Sequence, residues 1–230
     1  MRMTTLDIRT EPRYPLIEAS HLTAVPKATL RTWFVGWHAA NRAPQPAILR
    51  PDQAAVEPLT LSFYNVIEAR FLAAYRRLGV PMQRVRVALE YVQTRMPTER
   101  RPLLTRTFET DGRGLFIEFI HSDGDPRLLE VSAGGQQVWP EIVRAHFKSI
   151  EFDDTGHPAR FWLDPRHKLV VDPRVAWGMP AIAKTGLRTE IVFERFDAGE
   201  DVDVIAEDFS LDPHTVQEAL RWEQQARLAA

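Results

Sequence analysis

The chain reads as an α+β protein, mainly helical helix-turn-helix units at both ends joined by a small antiparallel sheet. Three observations point there. Apolar residues recur at helical spacing before Pro97 and again after Thr189. Between Leu103 and Leu163 the period shortens to that of strands. Pro, Gly and Asp cluster at the joins. The 230 residues suffice for one large domain or two to three small ones. Expected segments are 1–100, a winged helix-turn-helix domain; 101–167, a small antiparallel β linker; and 168–230, an acidic trihelical, helix-turn-helix-like domain for partner binding or dimerisation.

Residues 1–13 are polar and expected to be poorly ordered. The stretch Leu16 to Trp37 then spells a short helix, a tight turn and a second helix. Leu30, Trp33, Phe34 and Trp37 fall at i, i+3, i+4 and i+7, one apolar stripe. Pro26 suits the first turn of the second helix, where a missing N–H is harmless. Lys27 and Arg31 lie off the stripe with Thr29 and Thr32. An aromatic inner face under a basic outer face fits a recognition helix resting on its scaffold. A surface helix with two solvated cations fits equally well.

Residues 38–60 carry Pro44, Pro46, Pro51 and Pro58 and read as a loop or a small wing, which Arg42 and Arg50 make basic. A helix is expected over 61–78, with Phe63, Val66, Ile67, Phe71 and Ala74 inward and Gly79 as its stop. Another runs from Met82 to about Arg95, with Met82, Val85, Leu89, Val92 and Met96 inward. Leu115 to Ile120 reads as a buried strand between two turns. Leu128 to Val131, Gln136 to Val138, Ile150 to Asp153 and Ala159 to Leu163 are shorter strand candidates, with a helix over Trp139 to Phe147. This sheet would join the two ends.

Leu169 to Val171 is a further strand. A helix from Thr189 to Ala198 ends at Gly199, and Asp201 is placed to cap the next. Asp212-Pro213 opens a third, with Val216, Ala219 and Leu220 inward. Residues 190–223 hold 11 Asp+Glu against Arg195 and Arg221, a net −9. A phosphate contact needs a cation that displaces counterions, and this unit offers almost none. Its shape is that of a DNA-binding fold, yet its charge suits a protein.

The net charge of −2 conceals this polarity: residues 1–106 carry +8 and residues 107–230 carry −10. A basic front suits a nucleic-acid duplex, and an acidic rear suits a basic protein. The absence of cysteine excludes disulfides, thiolate metal sites and a cysteine nucleophile, and agrees with a reducing cytoplasm. Arg2, Asp7, Arg9 and Glu11 do not form a signal peptide, and no apolar run approaches the ~20 residues that span a bilayer.

With these motifs in place, the chain resembles a known family. Thr29-Leu30-Arg31-Thr32-Trp33, followed by Leu61-Ser62-Phe63-Tyr64-Asn65-Val66-Ile67-Glu68-Ala69, is similar to a MerR-like helix-turn-helix. The C-terminal part resembles the small domain of unknown function of VapB-type antitoxins. Its marks are Val171-Asp172-Pro173-Arg174-Val175, Gly178-Met179-Pro180-Ala181-Ile182, Thr185-Gly186-Leu187-Arg188-Thr189, Ala198-Gly199-Glu200-Asp201-Val202 and Ile205-Ala206-Glu207-Asp208-Phe209. The resemblance implies an antitoxin of a type II toxin–antitoxin pair. It further implies a PIN-like ribonuclease toxin as partner and repression of the shared promoter. Two departures stand out: Pro97 and strands occupy the place of a long dimerisation helix, and Trp177 and Met179 stand where small or polar residues are usual.

No reaction is written in the residues. The seven histidines show no paired helical spacing, and there is no His-Glu-x-x-His string, phosphate-binding loop or dinucleotide fingerprint. No catalytic residue, cofactor or metal is expected. The expected DNA contacts are Lys27, Thr29, Arg31, Thr32, Arg42 and Arg50, in a homodimer that reads two half-sites of promoter DNA. The expected toxin contacts are Glu194, Asp197, Glu200, Asp203, Glu207 and Asp208. The alternative is an effector-responsive regulator without a toxin partner, which would need a ligand pocket.

Overall fold

The computed structural model describes residues 7–39, 42–53, 58–77, 79–95, 101–104 and 141–229. The strands expected at Leu115–Ile120, Leu128–Val131 and Gln136–Val138 lie outside the described residues. Among the described residues, eight α-helices and short antiparallel sheets make an α+β fold, with helix-turn-helix geometry at the N-terminal end. The helices are α1 (Leu16–Thr23), α2 (Lys27–Val35), α3 (Phe63–Arg77), α4 (Met82–Arg95), α5 (Glu141–Lys148), α6 (Thr189–Asp197), α7 (Val202–Asp208) and α8 (Pro213–Ala229). By packing, the chain divides into two compact units: Met1–Val66 with Ala159–Ala230, and Ile67–Pro158.

In the first unit the two ends of the chain meet directly, where a middle sheet was expected to join them. Strand β1 (Tyr14–Pro15) pairs antiparallel with β4 (Thr60–Leu61). The buried Tyr14 hydroxyl donates to the Gly178 carbonyl at 2.8 Å, and Phe63 stacks on Phe161 at 5.7 Å. Helix α1 also packs against α8. Strands β6 (Pro158–Trp162), β7 (Leu169–Val171) and β8 (Ala181–Ile182) are successive antiparallel neighbours, with Phe161 opposite Val171 and Leu169 opposite Ile182. Helices α6, α7 and α8 close over this sheet. Their core is Leu169, Ile182, Val192, Ile205, Ala206, Val216, Ala219 and Leu220. Each of its Leu, Ile and Val side chains contributes about 1.5–3 kcal/mol on burial.

Asp7 accepts from the Arg9 backbone N–H at 3.0 Å and caps a 3-10 turn over Ile8–Thr10. Asp201 stands at the N-cap of α7 as expected, but its carboxylate makes no capping hydrogen bond.

The second unit is built on the continuation of α3, with α4, α5 and β5 (Ile150–Phe152). Gly79 turns left-handed at φ +76, and its N–H closes on the Arg76 carbonyl at 3.0 Å, ending α3 as expected. Val85, Ala88 and Val92 form the buried face of α4. Phe71, Tyr75, His146 and Phe147 form an aromatic cluster. Burial, then the Arg70 and Arg77 charges, push the His146 imidazole down to about 3, so it sits neutral.

Candidate nucleic-acid interface

The turn between α1 and α2 is set by backbone chemistry. Ala24 adopts the left-handed conformation at φ 53, ψ 39, ending α1. The buried Ser20 hydroxyl donates to the Val25 carbonyl at 2.7 Å, and Thr23 donates back to Ala19 at 2.7 Å. Val25 is buried beneath the turn, and Pro26 is the N-cap of α2. These contacts fix the angle at which α2 leaves its scaffold.

Leu30, Trp33 and Phe34 bury the inner face of α2. Trp37 does not share that face. Gly36 takes φ 85, ψ −172, a region closed to side chains, and stops the helix at Val35. Trp37 therefore begins β2 (Trp37–Ala39) and is 37% exposed. Strand β2 pairs antiparallel with β3 (Arg42–Gln45), forming a two-stranded wing directly after the helix. The chain returns from the wing onto α2: the Trp33 carbonyl accepts from Ile48 N–H at 2.8 Å and from Leu49 N–H at 3.0 Å.

Lys27 and Arg31 are exposed on the outer face of α2, and Thr29 and Thr32 are half-buried beside them. The Thr32 hydroxyl donates to the Ala28 carbonyl at 3.0 Å, which leaves its oxygen as an acceptor. Arg42 lies on β3 of the wing; its side chain is outside the described residues. Arg50 is exposed just beyond the wing. Its position depends on Asn65, a fully buried side chain that sequence reading did not single out. Asn65 donates through Nδ2 to the Arg50 carbonyl at 3.0 Å and accepts the Asp52 N–H at 3.1 Å. The Ser62 hydroxyl donates to Asp52 at 2.5 Å and accepts the Asn65 N–H at 3.1 Å, capping α3. The Ser62-x-x-Asn65 spacing signals the cap, but not the link to the loop.

The acidic end is more selective than its sequence. Arg195 pairs with both Glu200 and Asp208, and its guanidinium lies 5.1 Å from the Phe209 ring centroid. The hydrogen bond from Arg195 holds the Glu200 carboxyl below its usual range. Lys168 takes Asp212 at 3.0 Å, Arg221 takes Glu218 at 2.8 Å, and buried Glu223 accepts from Thr189 at 2.5 Å. Glu194, Asp197, Asp203 and Glu207 remain exposed and, among the described residues, without an ionic partner. Of the six expected partner contacts, four are thus available and two are engaged within the fold.

Two parts of the chain match families of known proteins. Residues 12–89 match a family profile described as "Putative DNA-binding HTH domain", and residues 169–222 match "Protein of unknown function (DUF433)". Over 225 residues the chain is 32% identical to the "Putative antitoxin VapB45" of Mycobacterium tuberculosis, covering 91% of this chain and 92% of that protein. The chain belongs to the family of VapB45. An uncharacterised M. tuberculosis protein, Rv2308, is 25% identical over 94% of this chain and 92% of its own length. The crystal structure of Rv2018 from M. tuberculosis superposes with a TM-score of 0.69 at 30% identity, covering 91% of this chain and 98% of that one. This chain therefore carries helix-turn-helix and DUF433 parts in one polypeptide.

Proposed function

We propose that this VapB45-family protein is a non-enzymatic, DNA-binding antitoxin of a type II toxin–antitoxin pair. The observation that carries the reading is α2 itself. It exposes Lys27 and Arg31 opposite buried Leu30, Trp33 and Phe34, and a two-stranded wing follows at once. That is how a winged helix-turn-helix presents one face to the major groove and its wing to the backbone, and it supports the MerR-like reading. Lys27, Thr29, Arg31 and Thr32 approach base edges, and Arg42 and Arg50 approach phosphates. One short helix reads few base pairs, so the protein acts as a homodimer on a two-fold site in its own promoter.

The toxin partner is a PIN-like ribonuclease in the same cytoplasm. Glu194, Asp197, Asp203 and Glu207 meet its basic RNA-binding surface, and complementary charge speeds and selects the encounter. Glu200 and Asp208 contribute by holding Arg195 and thereby the α6–α7 corner.

The test is to express the gene with its neighbour, purify the native complex and identify the companion protein. A co-purifying ribonuclease is expected. Conversion of Glu194, Asp197, Asp203 and Glu207 to amides should weaken that complex and leave promoter binding intact. A purified chain that retains no companion would refute the antitoxin reading, and amide variants that bind a co-purifying ribonuclease unchanged would refute the role given to these acids.

A further inference from the structure

Trp177 lies outside the helix-turn-helix, and the reading of α2 makes no use of it. It is 79% exposed, in a structure whose other large apolar side chains are mostly covered. Its exposure is built in. Ala176, Trp177 and Gly178 take φ 49, 59 and 82, three consecutive left-handed residues of which two carry side chains. Such backbone persists only where its surroundings enforce it. Here the enforcement comes from the other end of the chain. The buried Tyr14 hydroxyl holds the Gly178 carbonyl, and any side chain at Gly178 would overlap that hydroxyl. Arg13 donates to the Pro173 carbonyl at 3.3 Å, and its guanidinium lies 5.8 Å from the Trp177 ring centroid.

These anchors fix where the loop lies. Arg13 and Tyr14 immediately precede α1, so the 172–179 loop is tied to the N-terminal end of the first helix of the helix-turn-helix. In this motif that helix crosses the sugar-phosphate backbone while the second enters the groove. In the same loop the Arg174 side chain is 65% exposed, with its Nε 3.8 Å from the Asp172 carboxylate. Asp172 is buried and already accepts the Arg174 backbone N–H at 2.9 Å. Glu11 is held by Arg13. The loop therefore offers one projecting indole and one largely exposed cation, tied to the start of the helix that crosses the backbone in this motif.

We infer that the 172–179 loop is a second DNA contact: Arg174 takes a backbone phosphate and Trp177 packs on the adjoining deoxyribose, so that the DUF433 part reads duplex alongside the helix-turn-helix. This rests on the DNA-binding reading above. The footprint then extends beyond the bases under α2, and removal of Arg174 lowers the salt dependence by one phosphate contact.

The experiment uses the full chain and a labelled duplex carrying the sequence upstream of its own gene, with Arg174→Ala and Trp177→Asn. Asparagine tolerates the left-handed backbone and keeps the loop folded. Arg174→Ala should reduce the slope of log K against log salt by about 0.9. Trp177→Asn should weaken binding about tenfold, with an unchanged slope, through lost apolar contact. Both should shorten the footprint at one edge, and both should melt like wild type. Binding by wild type with neither variant altering affinity, slope or footprint would overturn the loop's role and leave the antitoxin reading standing. Variants that keep DNA affinity but lose a co-purified protein would make the loop a protein contact and likewise overturn it. Failure of the wild-type chain to bind the duplex would remove both readings together.

Discussion

Gly36→Ala should disable the interface without touching a single candidate DNA contact. Gly36 joins the recognition helix to the wing at φ 85, ψ −172, conformational space that only glycine occupies freely. A Cβ there would stand 2.6 Å from the Gln45 carbonyl oxygen and 3.0 Å from the Ala47 nitrogen, both backbone atoms. No rotamer change relieves such an overlap, so the β3 side of the wing must move. The strained backbone alone costs about 1–3 kcal/mol, and displacement of the wing's return onto the Trp33 carbonyl adds a hydrogen bond of about 0.5–1.5 kcal/mol. About 3 kcal/mol corresponds to a fall in Tm of roughly 6–12 °C for a chain of this size. Differential scanning calorimetry and fluorescence anisotropy with upstream duplex are the assays. Expected are the lower Tm and, below the transition, weaker DNA binding, because the proposed contacts of Arg42 and Arg50 would lose their register with α2. A variant with unchanged Tm and unchanged affinity would refute the claim that helix and wing form one rigid reading head.

Two further outcomes follow from buried polar groups. Tyr14→Phe removes the hydroxyl that donates to the buried Gly178 carbonyl, which should lower stability by about 1–3 kcal/mol, read as a lower urea midpoint with unchanged slope; an unchanged midpoint would mean that this bond does not hold the chain ends together. Burial beside Arg70 and Arg77 lowers the folded pKa of His146 to about 3, whereas the unfolded imidazole titrates near 6.5. Between those values the unfolded chain binds the extra proton, so stability falls as pH falls through the window, by up to about 1.4 kcal/mol per pH unit. His146→Phe should flatten this acid limb in urea titrations between about pH 6.5 and 4; an identical slope in both proteins would show that the imidazole is not buried neutral.

The parts legible from sequence are those in which local pattern and packing agree. Leu30, Trp33 and Phe34 mark their buried face because the helical period fixes which side chains point inward. Trp37 breaks the same pattern because Gly36, one residue earlier, can take backbone angles that the stripe does not record. The basic wing was readable as a proline-rich, arginine-bearing connection, but its pairing depends on Trp33 accepting the returning chain. Charge counting found the acidic end and could not say which acids were spent. Arg195 takes Glu200 and Asp208 across a helix corner, a tertiary arrangement invisible in composition. Asn65 and Tyr14 escaped notice for the same reason: their hydrogen bonds cross 15 and 164 residues of chain.

The central claim is that the exposed face of α2 binds DNA through Lys27 and Arg31, and the salt dependence of binding tests it most directly. Affinity of the full chain for the duplex upstream of its own gene would be measured across salt concentrations, alongside the double variant Lys27→Glu, Arg31→Glu. The expected result is a loss of at least about tenfold and a slope shallower by about 1.8, with unchanged melting. Equal affinity and equal slope in the two proteins would contradict the account.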